Sequence, residues 1–287
     1  MDGAPLPLLP MTSALTLERI RGMEVGPCDI FVASFPKSGT TWMQHIVYQL
    51  VSASAGHTGE RHISDFAPFL EADRTWGAGG ASVAEPAASL HRELGWRAYN
   101  THLLPSMLPA GAARVIYVAR APADVCTSQW HHFAHMAPDD GGFGGELAEF
   151  VDAWLAGTLA FGAWRPHVEA WLRAAVTNDR ILVVRYEDLV HALPEQVARI
   201  CAHLGVALDE ERLRAHVLPR LGFDWMKRHE ARFEPRTVRW VDRGVGAFRF
   251  LRNGQVGDAH NHLTAQMLER IEAATAPAVA ELAELRC

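Results

Sequence analysis

"SFPKSGTTW", residues 34–42, ends the apolar run "DIFVASF" (29–35) and opens the stretch "TTWMQHIVYQLVSAS" (40–54). A continuous apolar run of this length, bounded by a turn signal, predicts a strand buried on both faces. In 40–54, Trp42, Ile46 and Leu50 recur with Met43 and Val47 at helical spacing. Strand, glycine-bearing loop and helix form the first unit of a doubly wound parallel sheet, and ligands of such sheets bind beyond the carboxyl ends of the strands. The loop stands at such an end. Its backbone N–H groups from Ser38 to Thr41 open a helix, where unpaired donors and the helix dipole favour an anion. Gly39 lets the backbone approach closely, Lys37 adds a positive charge, and Thr40 and Thr41 add hydroxyl donors. In a Walker A loop the lysine follows the last glycine; here it precedes Gly39.

Outward from this loop the pattern repeats. "RVIYVAR" (114–120) and "ILVVRYEDL" (181–189) are further strand patterns, and "RAYNTHLL" (97–104) is a weaker one. Helical patterns follow in "APADVCTSQWHHF", with Pro122 early in it, and in "ELAEFVDAWLAG" (146–157). "PEQVARICAHLGV" (194–206) predicts a helix ending near Gly205, and the C-terminal "LTAQMLERIEAATAPAVAEL" one with a break at Pro277. "GAGGAS" (77–82) reads as a flexible loop. The alternation predicts an α/β protein: a P-loop-like three-layer fold with a central parallel sheet flanked by helices. We expect a single domain over residues 1–287, with Pro-rich residues 1–26 as an arm that could serve as a lid.

Composition narrows the function. The 287 residues carry a formal net charge of -6, which speaks against general binding to nucleic acid or an anionic membrane. Cys28, Cys126, Cys201 and Cys287 are scattered without metal spacing, which fits a reducing compartment. The start "MDGAPLPLLPM" lacks the basic and apolar regions of a signal peptide, and no apolar run approaches the ~20 residues of a membrane span. The expectation is a cytoplasmic protein. A nucleoside triphosphatase would need an acid at the end of a second strand to support Mg²⁺. "RVIYVAR" ends instead in Arg120, whose guanidinium suits a direct bidentate phosphate contact, and Ser128 lies two turns into the next helix. His131, His132 and His135 lack acidic partners at ligand spacing, so no metal is expected.

Together "SFPKSGTTW", "THLLPSMLP", "RVIYVARAPADVCTS", "FVDAWLAGTLAFGAW", "ILVVRYEDL", "GFDWMK" and "FLRNG" resemble the cytosolic sulfotransferases, which use 3′-phosphoadenosine 5′-phosphosulfate (PAPS). The resemblance runs from about residue 24 to 275. It implies that Lys37, Ser38, Gly39, Thr40 and Thr41 grip the 5′-phosphosulfate. Arg120 and Ser128 would bind the 3′-phosphate, with Arg252, Asn253 and Gly254 completing that pocket. Trp42 and Phe223 would stack on the adenine and Tyr186 would meet its edge. His102 of "NTHLL" would be the general base, and Lys37 would support the leaving nucleotide, 3′,5′-ADP (PAP). Phe66, Phe69, His132 and Phe133 are candidates to line a pocket for a small hydroxylated, apolar acceptor. The alternative within the same fold is a PAP- or PAPS-binding protein with little transfer activity.

The sequence departs from the family in places. Asn100 stands where many members have a lysine, and Asn253 replaces the lysine of an "RKG" run. "LGF" (221–223) lacks the usual hydroxyl residues before the phenylalanine. The family's dimer signature appears as "HNHLTAQMLE", with His260 and Ala265 in place of lysine and valine.

Overall fold

The computed structural model describes residues 6–57, 59–77, 82–242, 244 and 248–285. Residues 78–81 of the expected "GAGGAS" loop, and Cys287, lie outside the described residues. Four strands, β1 (Asp29–Ser34), β2 (Arg97–Thr101), β3 (Arg114–Ala119) and β4 (Ile181–Arg185), form one sheet in the order β2-β1-β3-β4. Every pairing is parallel. The helices of eight residues or more are α1 (Ala14–Arg21), α2 (Thr40–Ser54), α3 (Ala87–Leu94), α4 (Pro122–Ala134), α5 (Leu147–Ala156), α6 (Trp164–Thr177), α7 (Leu193–Leu204) and α8 (Ala265–Glu284).

The period of two in each strand divides the interior between two cores. Phe31 and Ala33 of β1 join Tyr117 of β3 against α1, α4, α5, α6 and α8. Ile30 and Val32 join Ile116 and Val118 against α2 and α7. A strand whose alternate residues enter different cores must be apolar throughout, which is why β1 and β3 read as unbroken apolar runs. Each fully buried large side chain contributes about 1.5–3 kcal/mol. Among the described residues, no helix is long and apolar enough to cross a membrane.

Two expectations need correction. The apolar run "ILVVRYEDL" is strand only to Arg185, and Tyr186–His191 is helical. Arg185 pairs with the last residue of β3, so the ladder ends there. Glu187 of the short helix turns back to accept from the Ala121 amide at 2.9 Å. The break expected at Pro277 is absent: α8 runs through it. Ile271 and Thr275 before the proline, and Ala278 and Leu282 after it, are buried, so packing on both sides outweighs the lost backbone bond.

The register carries the functional consequence. Ala33 lies beside Thr101, Ser34 beside Val118, and Ala119 beside Arg185. The four strands therefore stop within two residues of one level. The residues just past them, in β2, β1, β3 and β4 order, are His102, Phe35 with Lys37, Arg120 and Tyr186.

Candidate active site

The loop after β1 is built to turn sharply. Phe35 is fully buried, packing edge-on against Trp154 and His167. Beyond it, Lys37 has φ +67° and Gly39 φ +107°. Left-handed backbone at lysine costs about 1–2 kcal/mol, and the Arg120 guanidinium helps to hold it by donating to the Lys37 carbonyl at 3.4 Å. The Ser34 and Thr40 hydroxyls, 2.6 Å apart, tie the strand end to the helix start. The first bond of α2 runs from Met43 N–H to the Gly39 carbonyl, and Gly39 provides no side-chain cap. The N–H groups of Thr40, Thr41 and Trp42 thus have no intrahelical acceptor and open beyond the sheet.

Two cavities meet at this loop. The first is bordered by Gly39, Trp42, Arg120, Ser128, Tyr186, Phe223 and the segment Phe250–Gln255. The second is bordered by Phe69, Asn100, His102, His132, Phe133 and Phe161, with Leu9 and Met11 of the N-terminal arm. Lys37, Thr40, Thr41 and Phe250 border both. The Lys37 ammonium lies 4.7 Å from the Phe250 ring centre and 3.2 Å from Nδ1 of His132. Enclosure, then the charges of Arg120 and Arg252, pull its pKa down to about 7.

The residues around the first cavity fit a nucleotide carrying several phosphate charges. Among the described residues, the buried Arg120 Nε has no protein partner. Arg120 lies over the Tyr186 ring, 4.3 Å from its centre. A Cβ on Gly39 would come within 2.6 Å of Tyr186, and one on Gly254 (φ +65°) would run into the Phe223 ring. Trp42 donates from its indole to the Leu221 carbonyl at 2.8 Å, which fixes its plane edge-on to Tyr186. Arg252 pairs with Asp258 at 2.5 Å. The Asn253 amide also donates to Asp258, at 2.8 Å, so its contribution goes into holding the 252–254 turn.

His102 stands at the head of the second cavity. Its Nδ1 lies 2.9 Å from the Ser34 carbonyl. A carbonyl can only accept, so Nδ1 carries the hydrogen and Nε2 is left with its lone pair. Burial, with smaller effects from His167 and Lys37, lowers its pKa to about 3, so the ring is neutral. Its main chain is gripped on both sides. The amide donates to Glu71 Oε1 at 2.5 Å, and the carbonyl accepts from His167 Nε2 at 2.9 Å. Phe69 and Phe161 flank the ring at 5.5 and 5.2 Å between centres.

The structure thus brings the expected Lys37, Gly39, Thr40, Thr41, Trp42, Arg120, Ser128, Tyr186, Phe223, Arg252, Asn253 and Gly254 around one cavity, and Lys37, His102, Phe69, His132 and Phe133 around the other. Ser38 lies behind the loop, 1% exposed. Phe66 is elsewhere: it is buried in the second core against Tyr48 and borders neither cavity. The His131, His132 and His135 side chains diverge, His131 toward His262, His132 to Lys37, and His135 to the His131 carbonyl. Sequence reasoning missed Phe250, Glu71 and His167 as site residues. Only Phe250 carried a readable signal, since it directly precedes the "LRNG" turn.

Comparison with known proteins follows the same outline. The family model described as "Sulfotransferase domain" matches residues 27–283. Cytosolic sulfotransferase 1 of Danio rerio is 31% identical over 268 residues, covering 89% of this chain and 84% of the relative. Sulfotransferase 1E1 of Cavia porcellus is 28% identical over 263 residues, covering 89% and 84%. Among solved structures, retinol dehydratase in complex with retinol and PAP superposes with a TM-score of 0.72 at 20% identity, covering 96% of this chain and 88% of that one. Mouse sulfotransferase SULT7A1 complexed with PAP gives 0.67 at 22% identity, covering 94% and 91%. At these identities the structures speak for the fold.

Proposed function

The chain belongs to the sulfotransferase domain family, and on that premise we propose that it moves a sulfuryl group from PAPS to the hydroxyl of a small apolar acceptor, with His102 as general base. One observation carries the reading: Lys37 borders both cavities, while His102 borders only the second. PAPS, when bound, supplies an activated sulfuryl group on a good leaving group. Lys37 is then the cation where the nucleotide cavity opens into the acceptor cavity, suited to support charge developing on the departing oxygen. Arg120, Arg252 and the open N–H groups at the start of α2 hold and orient the phosphates. His102 Nε2 takes the proton of the attacking hydroxyl, and the Ser34 carbonyl, holding Nδ1–H, stabilises the imidazolium that results. Positioning of the two partners in line supplies much of the remaining acceleration.

The walls support an apolar acceptor. Phe69, Phe133, Met136, Phe161, Phe233 and Val238 surround the second cavity with apolar surface. Phenols and steroid-like alcohols match such a lining. Leu9 and Met11 complete the wall, and the arm is held by the Phe161 amide bonding to the Pro7 carbonyl at 2.7 Å. This supports a lid role for the arm over the acceptor.

The test is a metal-free assay with PAPS and a panel of phenols, sterols and sugars, with calorimetry of PAP binding. Sulfate is expected to move to a phenol or sterol, and His102→Ala to lower kcat by about 10²–10⁴ with PAP affinity kept. PAP binding without turnover of any acceptor would favour a nucleotide-binding role instead. Absence of PAP binding would refute the whole reading.

A further inference from the structure

Glu71 is the one acid buried beside the proposed base, and the mechanism above gives it no part. It is 0% exposed. It arrives there by backbone pairing. The segment before it runs parallel to β2, with Phe69 level with Asn100, the Asn100 amide donating to the Pro68 carbonyl, and the Leu70 amide donating to the Asn100 carbonyl. Two residues beyond that level, Glu71 stands beside His102. Its Oε1 accepts the His102 amide at 2.5 Å and the Thr101 hydroxyl at 3.1 Å. Thr101 in turn accepts the Leu103 amide at 3.1 Å, so three consecutive residues of the turn hang on this acceptor. Oε2 has no partner among the described residues. Burial raises the carboxyl pKa to about 8, against the two bonds it accepts.

We propose that Glu71 is a positioning residue for the transfer reaction: its Oε1 holds the Thr101–Leu103 turn from below and so fixes where His102 presents Nε2. The need is plain from the chain's course. β2 is an edge strand of the sheet, and its outer pairing with residues 68–70 reaches only to Asn100, one residue short of the turn. The Ser34 carbonyl orients the ring and His167 holds the carbonyl; Glu71 supplies the third restraint, on the amide. A neutral acid suits the place, because a carboxylate there would favour the imidazolium before any acceptor had given up its proton.

The inference rests on His102 being the base, and the experiment separates the two. Glu71→Gln keeps an acceptor oxygen; Glu71→Met has similar size and lacks it. Both are compared with wild type alone and combined with His102→Ala, using PAPS with the phenol panel, PAP calorimetry and melting temperature. An activity-free readout comes from ¹⁵N NMR of labelled histidine in the PAP complex. Glu71→Gln is expected to keep kcat within about threefold, and Glu71→Met to lose about tenfold to a hundredfold with PAP affinity kept. In the His102→Ala background Glu71→Met should cost less than about twofold. The His102 ring signals should move in Glu71→Met and stay in Glu71→Gln. Equal behaviour of the two variants, or the same factor lost with and without His102, would overturn the proposal. So would a folded, PAP-binding Glu71→Gln enzyme that had lost more than about tenfold, since the acid itself would then be what matters. If His102→Ala alone kept full activity, the base assignment would fail first, and with it the role given to Glu71.

Discussion

On the proposed function, the Lys37 ammonium predicts a dependence of nucleotide binding on pH whose direction can be worked out beforehand. In the free protein its pKa is lowered to about 7 by enclosure and by Arg120 and Arg252. A bound phosphate reverses that balance and returns the group to its charged form. The bound pKa is therefore the higher one, so the benefit to binding is complete below pH 7 and is lost as pH rises above it. At pH 8 about 0.9 of the lysines are neutral, and binding PAP should take up about 0.9 proton from the buffer. Between pH 7.5 and 8.5 the affinity should fall about eightfold. This window lies above the second ionisation of a phosphate ester, near 6, so the ligand's own titration contributes little. The assay is calorimetry of PAP binding in HEPES and in Tris at each pH. The slope of enthalpy against buffer ionisation heat gives the proton number. Uptake below about 0.2 proton at pH 8, or the same uptake in Lys37→Met, would refute the argument.

Other outcomes follow from the same geometry. Gly254→Ala places a methyl against Phe223 at positive φ and should weaken PAP binding by about tenfold, read by calorimetry. Arg120→Ala removes the guanidinium between the Lys37 carbonyl and the nucleotide cavity and should cost about 1.5–3 kcal/mol of PAP affinity, with a weaker salt dependence. Glu71 has a folded pKa raised to about 8, so its protonation stabilises the fold fully below the ordinary carboxyl pKa of 4.5 and loses that effect as pH rises toward 8. Denaturant melts of wild type and Glu71→Gln should therefore diverge by up to about 1.4 kcal/mol per pH unit in that window.

The sheet was legible because its two cores demand unbroken apolar strands, and the loop because Lys37, Gly39 and the two threonines sit between such a strand and a helix. Arg120 was legible for the same reason, as the residue at a strand end, whereas Tyr186 came only from the family resemblance, because the strand was expected to run through it. The acceptor cavity was legible only in part: Phe69, His132 and Phe133 border it, and Phe66 does not. Phe66 and Phe69 stand three residues apart in one aromatic-rich stretch, yet the first faces Tyr48 and the second faces His102. Only the backbone pairing of Phe69 with Asn100 separates them, and a single sequence does not show it. Glu71 was hidden too, since an acid next to Asp73 in "FLEAD" reads as a solvated turn. Pro277 misled because a local rule was outweighed by burial further along the helix. The C-terminal turn was half legible. "RNG" marked it, while the Asn253–Asp258 bond depends on a residue four places beyond it.

The near-common level at which the four strands stop has a consequence for how such a protein can change over generations. Lys37, His102, Arg120 and Tyr186 are anchored within three residues of a hydrogen-bonded ladder. Leu9, Met11, Phe233 and Val238, which complete the acceptor's walls, belong to segments that no strand holds. On the proposed function, the reacting groups sit at the strand ends, while part of the acceptor wall lies in segments that no strand holds. Substitutions in the arm or in residues 233–238 can reshape what enters while the transfer machinery keeps its spacing. Selection can explore new acceptors there without first having to rebuild a catalyst.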